Sequence, residues 1–213
     1  MRLALLPLGL VALPAFAQWD LRLELPRPTG QNLPLALILG TGQLASGNFD
    51  TGSGYIATAN RRLFQIGPLL KLEGGFEYSL LSANGRLALD TATQGTKLQQ
   101  RGLGVGVNAQ IWVPFVGLAG EIGLIQRFQR YTYNTAGAAT TRDLNRTWLR
   151  VGTRWRIPSV LVHPYVAASY QQPVTKEHPV QLGGSYDLAN YFAAQGSGQE
   201  FERMWTFGVG VSF

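Results

Sequence analysis

The last stretch of the chain, residues 200–213, alternates between large apolar side chains and small or polar ones. The apolar set occupies every second position from 201 onwards, and Arg203 is the one polar residue in that set. Because neighbouring side chains of a β-strand point to opposite faces, this pattern predicts a strand with one apolar and one polar face. A soluble β-sandwich could use such a strand too, so this pattern alone leaves the class of protein open.

The same period of two residues recurs along the chain and is clearest in 70–80, 103–113 and 116–128. Short turns are predicted at 67–68, 114 and 158–159, and they alternate with longer polar segments at 46–54, 82–100, 134–145 and 173–199, which we interpret as loops. We predict eight strands, at about 33–45, 55–66, 69–82, 101–113, 115–132, 146–157, 159–172 and 200–213. This alternation of short and long connections is typical of β-barrels of the outer membrane.

Two places do not fit this simple count. Residues 19–25 alternate as strictly as any strand but would form a ninth. We therefore expect them either to lengthen the first strand beyond a proline break or to lie on the periplasmic side. Arg61 and Arg62 are adjacent, so one of them must face outward unless a β-bulge intervenes.

The composition favours an exported all-β protein. Residues 1–17 combine Arg2, an apolar run and a terminal Ala-Phe-Ala, the pattern of a cleaved secretory signal peptide. We predict that 18–213 form one barrel domain. Cysteine is absent, which excludes disulfides and Cys-based metal sites. The net charge of +6 is carried mainly by arginine, for which lipid phosphates and internal carboxylates are more suitable partners than nucleic acid.

The charged faces of the predicted strands must point into the barrel. On the lipid side, each Arg or Lys would cost about 2–4 kcal/mol at the membrane midplane. An eight-stranded barrel is just wide enough for side chains to fill it, so the inward arginines need carboxylate partners. We predict an internal Arg–Glu network rather than an open pore. Its predicted members are Lys71, Glu73, Glu77, Glu121, Arg127, Arg146, Arg150, Arg154, Arg156, Glu200 and Glu202.

The aromatic residues near strand ends suit girdles at the two membrane interfaces. We assign to them Trp19, Trp112, Trp155, Trp205, Phe207, Phe213, Tyr165 and Tyr170.

Residues suited to catalysis or metal binding are few. His163 follows a short turn and His178 lies in a long predicted loop. Neither forms the closely spaced His and Ser pair that marks the lipid A deacylase barrels. The glycine-rich stretches 102–106 and 208–210 precede no helix and match no phosphate-binding loop. We therefore predict no catalytic residue, no metal site and no cofactor.

Over residues 18–213 the chain resembles the small eight-stranded outer-membrane barrels of the OmpA, OmpX and OmpW kind. The resemblance rests on the signal sequence, the order of short and long connections, and the strand that ends in Phe213. It implies a closed, antiparallel up-and-down transmembrane barrel in the outer membrane of a Gram-negative envelope. It also implies a monomer surrounded by outer-membrane lipids, with Phe213 as the signal read by the barrel-assembly machinery.

The functions considered differ in what the lumen does. A structural or surface-interaction role comes first, with the lumen filled by charged side chains. A narrow channel for small or hydrophobic solutes comes second. A lipid-modifying enzyme is the third and most distant alternative, and we predict that the protein is not an enzyme.

Overall fold

The computed structural model describes residues 19–28, 33–38, 44–49, 52–67, 69–89, 92–113, 115–135, 138–158, 162–175 and 203–213. Within these ranges the strands are β1 Trp19–Pro28, β2 Leu33–Ile38, β3 Leu44–Phe49, β4 Ser53–Ile66, β5 Leu70–Leu89, β6 Ala92–Val113, β7 Leu118–Thr135, β8 Ala138–Arg156, β9 His163–Pro173 and β10 Met204–Ser212. No helix in the described part of the chain is long and apolar enough to cross a membrane. The predicted signal peptide, residues 1–17, lies outside the described residues.

Eight of these strands close into a barrel, in the order β1, β4, β5, β6, β7, β8, β9 and β10. Strand β1 closes it, because β1 pairs antiparallel with β4 on one side and with β10 on the other. All the other neighbours in the wall are also antiparallel. The predicted closed, eight-stranded antiparallel barrel is confirmed. Closure leaves no free sheet edge in the wall, so backbone groups are paired within it.

The prediction for the first barrel strand was wrong. We placed it at 33–45, but Trp19–Pro28 occupies that position in the wall. Residues Leu33–Ile38 pair with Leu44–Phe49 to form a hairpin. Residues 46–49 of this hairpin pair with residues 85–88 of β5. The sequence of β2 has no charged side chain to contribute to a polar lumen, whereas β1 contributes three.

Segments predicted as loops at 82–100 and 134–145 are mostly paired strand. In the first, β5 and β6 stay in register out to Leu89 and Ala92. In the second, β7 and β8 stay in register out to Thr135 and Ala138. The segment at 46–54 is also largely strand, in β3 and β4, and residues 176–199 of the last predicted loop lie outside the described residues. These extended hairpins define one end of the barrel, here called the long-hairpin end.

The opposite end, here called the short-turn end, carries the connections between β4 and β5, β6 and β7, and β8 and β9. Gly67 and Gly117 have φ angles of 53° and 70°, which glycine adopts without the steric penalty of a side chain. The alternation of short and long connections is therefore present, although the long ones contain more strand than we predicted.

The barrel has an apolar outside and a polar inside, as the alternation indicates. Phe76, Leu103 and Val209 are 68%, 64% and 60% exposed, whereas charged residues such as Glu121 are buried. Arg61 and Arg62 stay in consecutive register with Gly74 and Glu73, and Arg61 is exposed whereas Arg62 is half-buried, so Arg61 is the arginine that faces outward. A register shift follows one residue later, between Arg62 and Phe64.

Candidate functional site

The lumen is crossed by a cluster of eight buried charged residues, here called the central network. All are at most 4% exposed, and they come from β1, β5, β7 and β8. Its members are Asp20, Arg22, Glu24, Glu77, Glu121, Arg127, Arg150 and Arg154. Four arginines thus face four carboxylates, and the cluster is neutral as a whole.

Glu121 is the most heavily bonded carboxylate of this network. Arg22 binds it through two parallel hydrogen bonds, each 2.7 Å from a guanidinium nitrogen to a carboxylate oxygen. Arg154 donates to Glu121 Oε2 from Nε at 3.1 Å and from Nη2 at 2.9 Å. A paired, charge-assisted geometry of this kind is among the strongest hydrogen-bond arrangements in proteins.

Arg154 connects this carboxylate to β1 and β9. Its Nη1 donates to Asp20 Oδ2 at 2.9 Å, and Asp20 Oδ1 accepts a bond of 2.6 Å from the Tyr165 hydroxyl. The Arg154 guanidinium also lies 4.5 Å from the centre of the Tyr165 ring. This lower half of the network, nearer the short-turn end, therefore ties four strands together, β1, β7, β8 and β9.

The upper half of the network, which is nearer the long-hairpin end, is arranged around Glu77. Arg127 Nε donates to Glu77 Oε1, and Arg150 Nη2 donates to Glu77 Oε2 at 2.8 Å. Arg150 Nη2 also donates to Glu24 Oε2 at 3.0 Å, and Glu24 Oε1 accepts a bond of 2.9 Å from the Thr206 hydroxyl. A continuous chain of contacts therefore runs from β5 through β8 to β1 and β10.

Most of the residues predicted for the lumen lie inside it. Lys71, Glu73, Glu77, Glu121, Arg127, Arg146, Arg150 and Arg154 are buried and inward, and Arg156 is half-buried. Glu200 and Glu202 lie outside the described residues. Phe213 follows β10, and its backbone exchanges hydrogen bonds of 3.0 and 3.1 Å with Trp19.

Two arginines differ from the expectation that each needs a carboxylate. Arg146 donates to the Tyr131 hydroxyl at 2.7 Å and lies 5.3 Å from the Trp148 ring centre. Arg156 lies 4.1 Å from the Trp112 ring centre. Among the described residues neither has a carboxylate within ion-pair distance. Aromatic faces attract these guanidinium groups through the ring quadrupole and replace the expected carboxylates.

The sequence interpretation missed the contribution of β1. Asp20, Arg22 and Glu24 belong to the network, and their alternation with leucine was a sufficient signal. Trp112 and Tyr165, which we assigned to interface girdles, are only 8% and 2% exposed and face the lumen. Both rings contact cations there, which explains large aromatic residues at inward positions.

Small residues make room for these large side chains. A Cβ atom at Gly210 would lie 2.3 Å from Tyr165 Cζ and 2.4 Å from its hydroxyl oxygen. A Cβ at Gly208 would lie 2.8 Å from Glu24 Cγ. The glycines of β10 therefore permit the close packing of the network rather than a phosphate-binding loop.

The described residues offer little for catalysis or metal binding. His163 lies at the short-turn end, where it is near the cations of Lys71 and Arg156 rather than a carboxylate that could orient it. Within the described residues, no group of three or more His, Asp or Glu side chains could hold a metal ion. His178 lies outside those residues.

Comparison with known proteins gives structural similarity alone. No family model matches the sequence, and no curated protein matches it. The chain is similar to the transport unit of the autotransporter AIDA-I from Escherichia coli, with 11% identity, a TM-score of 0.43 and coverage of 92% of this chain and 90% of that one. It is also similar to the translocator domain of the autotransporter NalP from Neisseria meningitidis, with 12% identity, a TM-score of 0.45 and coverage of 97% and 92%. The finer resemblance to the OmpA, OmpX and OmpW proteins stays a prediction.

Proposed function

We propose that this protein is an integral outer-membrane barrel with a structural or surface-interaction role, and that its lumen is closed by the central network. The observation that carries the proposal is the chain of buried Arg–carboxylate contacts across the lumen. A barrel closed in this way acts through the surfaces at its two ends. The extended hairpins of β5–β6 and β7–β8 are the larger of these surfaces among the described residues.

The outer surface supports placement in a membrane. Large apolar side chains are exposed around the wall, among them Phe76, Leu103, Val105, Val107, Ile111, Ile122, Leu124, Phe128, Val151, Trp155, Phe207 and Val209. Soluble monomers rarely expose a contiguous apolar surface of this extent. Hydrocarbon matches it, and the barrel type then places the short-turn end in the periplasm and the long hairpins outside.

The geometry of the network favours a closed lumen over a narrow channel. The Arg22 guanidinium on β1 reaches Glu121 on β7, and the Arg150 guanidinium on β8 reaches Glu77 on β5. These strands are not neighbours in the wall, so the side chains bridge the interior. An ion would have to displace several charge-assisted hydrogen bonds at once, and their partners would be left buried and unpaired.

Planar-bilayer recording tests the closed lumen. We expect the wild-type barrel to insert without steady unitary current steps. The matched positive control truncates both bridges, with Arg22, Glu77, Glu121, Arg127, Arg150 and Arg154 changed to alanine, because removal of both leaves room for water. Steady steps from the wild-type barrel, of the size seen with this variant, would favour the channel and reject the closed lumen.

Membrane placement has a separate test. The folded barrel is expected in the outer-membrane fraction, with a gel mobility that changes on heating. Recovery in the soluble fraction with no heat-dependent mobility would contradict the proposal, whatever the bilayer recordings show.

A further inference from the structure

A second group of cations lies at the short-turn end of the lumen, below the central network. It consists of Arg62 on β4, Lys71 on β5 and Arg156 on β8, and is here called the mouth cluster. The Lys71 ammonium lies 5.0 Å from the centre of the Trp112 ring, and the Arg156 guanidinium lies 4.1 Å from the same centre. The positive charges of Arg156 and Arg62 both act on Lys71. One indole ring therefore gathers cations that repel one another.

The mouth cluster has more positive than negative charge. Glu73 lies opposite Arg62 in the register of β4 and β5 and is the carboxylate that acts on Lys71. Among the described residues, three cations thus face one carboxylate, which leaves an excess of two positive charges. The central network is neutral as a whole. Its carboxylate Asp20 also acts on Arg156, but both of its oxygen atoms are already bonded, one to Arg154 and one to Tyr165.

Polar atoms of the mouth cluster also lack acceptors. The Nε atoms of Arg62 and Arg156 are buried and have no hydrogen-bond partner among the described residues. Lys71 is 8% exposed, and its ammonium group lies over the face of Trp112. Buried cationic donors without acceptors are costly, and an anion with several oxygen atoms would satisfy them together.

We propose that the mouth cluster binds a phosphate group that enters from the short-turn end. Phosphate carries one to two negative charges near neutral pH, which matches the excess, and its oxygens accept from both guanidinium and ammonium donors. The central network crosses the lumen beyond the mouth cluster, so the bound group does not pass through the barrel. The site goes beyond the proposed structural role, because it gives the short-turn end a ligand of its own.

The phosphate has two possible sources. It can be inorganic phosphate or a soluble phosphomonoester, or it can be the headgroup of a phospholipid whose chains stay in the surrounding membrane. Both use the same donors, so the experiment has one arm for each. The first arm uses inorganic phosphate, and the second uses dihexanoyl phosphatidylglycerol below its micelle concentration.

The binding experiment uses isothermal titration of the folded barrel in maltoside micelles and phosphate-free buffer. We expect saturable binding of one of the two probes, with about one equivalent per barrel. The variant K71Q/R156Q should weaken that binding by about tenfold or more, because it removes charge-assisted hydrogen bonds. R156K keeps the charge and should bind within a few-fold of wild type. R130Q removes an exposed cation at the opposite end and should bind like wild type.

Each result either tests whether the site exists or identifies the source of the phosphate. Heat-modifiable gel mobility identifies the variants that fold, and the single variant R62Q replaces K71Q/R156Q if the latter does not. Binding of inorganic phosphate that depends on the mouth cluster identifies a soluble ligand, and dependence seen only with the lipid probe identifies a headgroup. If wild type binds neither probe, or if the mouth variants bind as well as R130Q does, the site does not exist. Phosphate binding to a wild-type barrel that also shows no steady unitary current would support the site and leave the proposed function intact.

Discussion

The change of Glu121 to glutamine removes one negative charge from the centre of the lumen while keeping the size of the side chain. Glu121 is 4% exposed and accepts two bonds from Arg22 and two from Arg154. After the change, Arg154 keeps the carboxylate of Asp20 at 2.9 Å, whereas the one carboxylate left to Arg22 among the described residues is Glu24, at 3.4 Å. The network would then hold four arginines against three carboxylates, all of them buried.

The magnitude follows from the burial of the partners. Removing one member of a buried ion pair costs about 3–5 kcal/mol, because the other charge is left without compensation. Against a total stability of about 5–15 kcal/mol for a folded domain, this is a large fraction. We therefore expect E121Q to lower the free energy of unfolding by about 3–5 kcal/mol. Arg22 is the residue that loses most of its charge compensation.

Urea unfolding of the barrel in lipid vesicles measures this change, with tryptophan fluorescence and gel mobility as probes. A double-mutant cycle with R22Q isolates the pair, and its coupling energy should be about 0.5–3 kcal/mol. The matched control is D143N, which breaks the Arg130–Asp143 pair whose side chains are 65% and 61% exposed. Exposed pairs contribute little, so D143N should leave the unfolding curve unchanged. If E121Q is as mild as D143N, or if R22Q and E121Q are additive, the network does not stabilise the barrel as argued.

Three further changes test the packing and the orientation of the wall. G210A should destabilise the barrel by about 1–3 kcal/mol, since its Cβ would meet the Tyr165 ring, whereas G120A, with nothing within 4 Å, should be neutral in the same unfolding assay. V105R places a cation on the outer face and should cost about 2–4 kcal/mol in vesicles; no loss would contradict the lipid-facing assignment. A spin label at Val107 should be accessible to oxygen, which dissolves in hydrocarbon. A spin label at the exposed position Asp143 should instead be accessible to a water-soluble relaxation agent. The reverse pattern would overturn the membrane placement.

The sequence predicted the faces of the wall well because the period of two residues follows directly from strand geometry. In β6 and β7 the positions assigned outward, such as Val105 and Leu124, are exposed, and Glu121 is buried. The same reasoning required a bulge or an outward arginine at Arg61 and Arg62, and Arg61 is found to be exposed on the outer face. Face is a local property, so a local pattern is enough to determine it.

Which strands and side chains pair with one another is not a local property, and the wrong predictions concern this pairing. Asp20 contacts Arg154 across 134 residues of sequence, and nothing in the alternation of β1 reveals that partner. The prediction of eight strands elsewhere leaves residues 19–25 without a place in the wall and makes 33–45 the first strand. The extended hairpins carry the sequence pattern of loops, because a strand outside the lipid needs no apolar face and therefore lacks the signal by which strands are recognised.

The interpretation was wrong where the usual location of a residue type differs from the face that the strand alternation gives it. Trp112 lies on the inward phase of β6, yet tryptophan is common at membrane interfaces, and we gave the residue type more weight. The ring instead accepts Lys71 and Arg156 on its faces, with centre distances of 5.0 and 4.1 Å. An inward aromatic residue in a charged lumen is therefore better interpreted as a cation partner than as an interface anchor.

Strand β1 links the closure of the wall to the neutrality of the central network. Without its residues, the central network would hold Arg127, Arg150 and Arg154 against Glu77 and Glu121, an excess of one positive charge. Strand β1 adds two carboxylates and one arginine, which removes that excess, and the same strand fills the gap between β4 and β10. Pairing β1 into the wall thus closes the last strand edges and balances the charges of the central network in one step. The two effects are inseparable in this fold, because a barrel that lacked β1 would have an open edge and an unbalanced central network together.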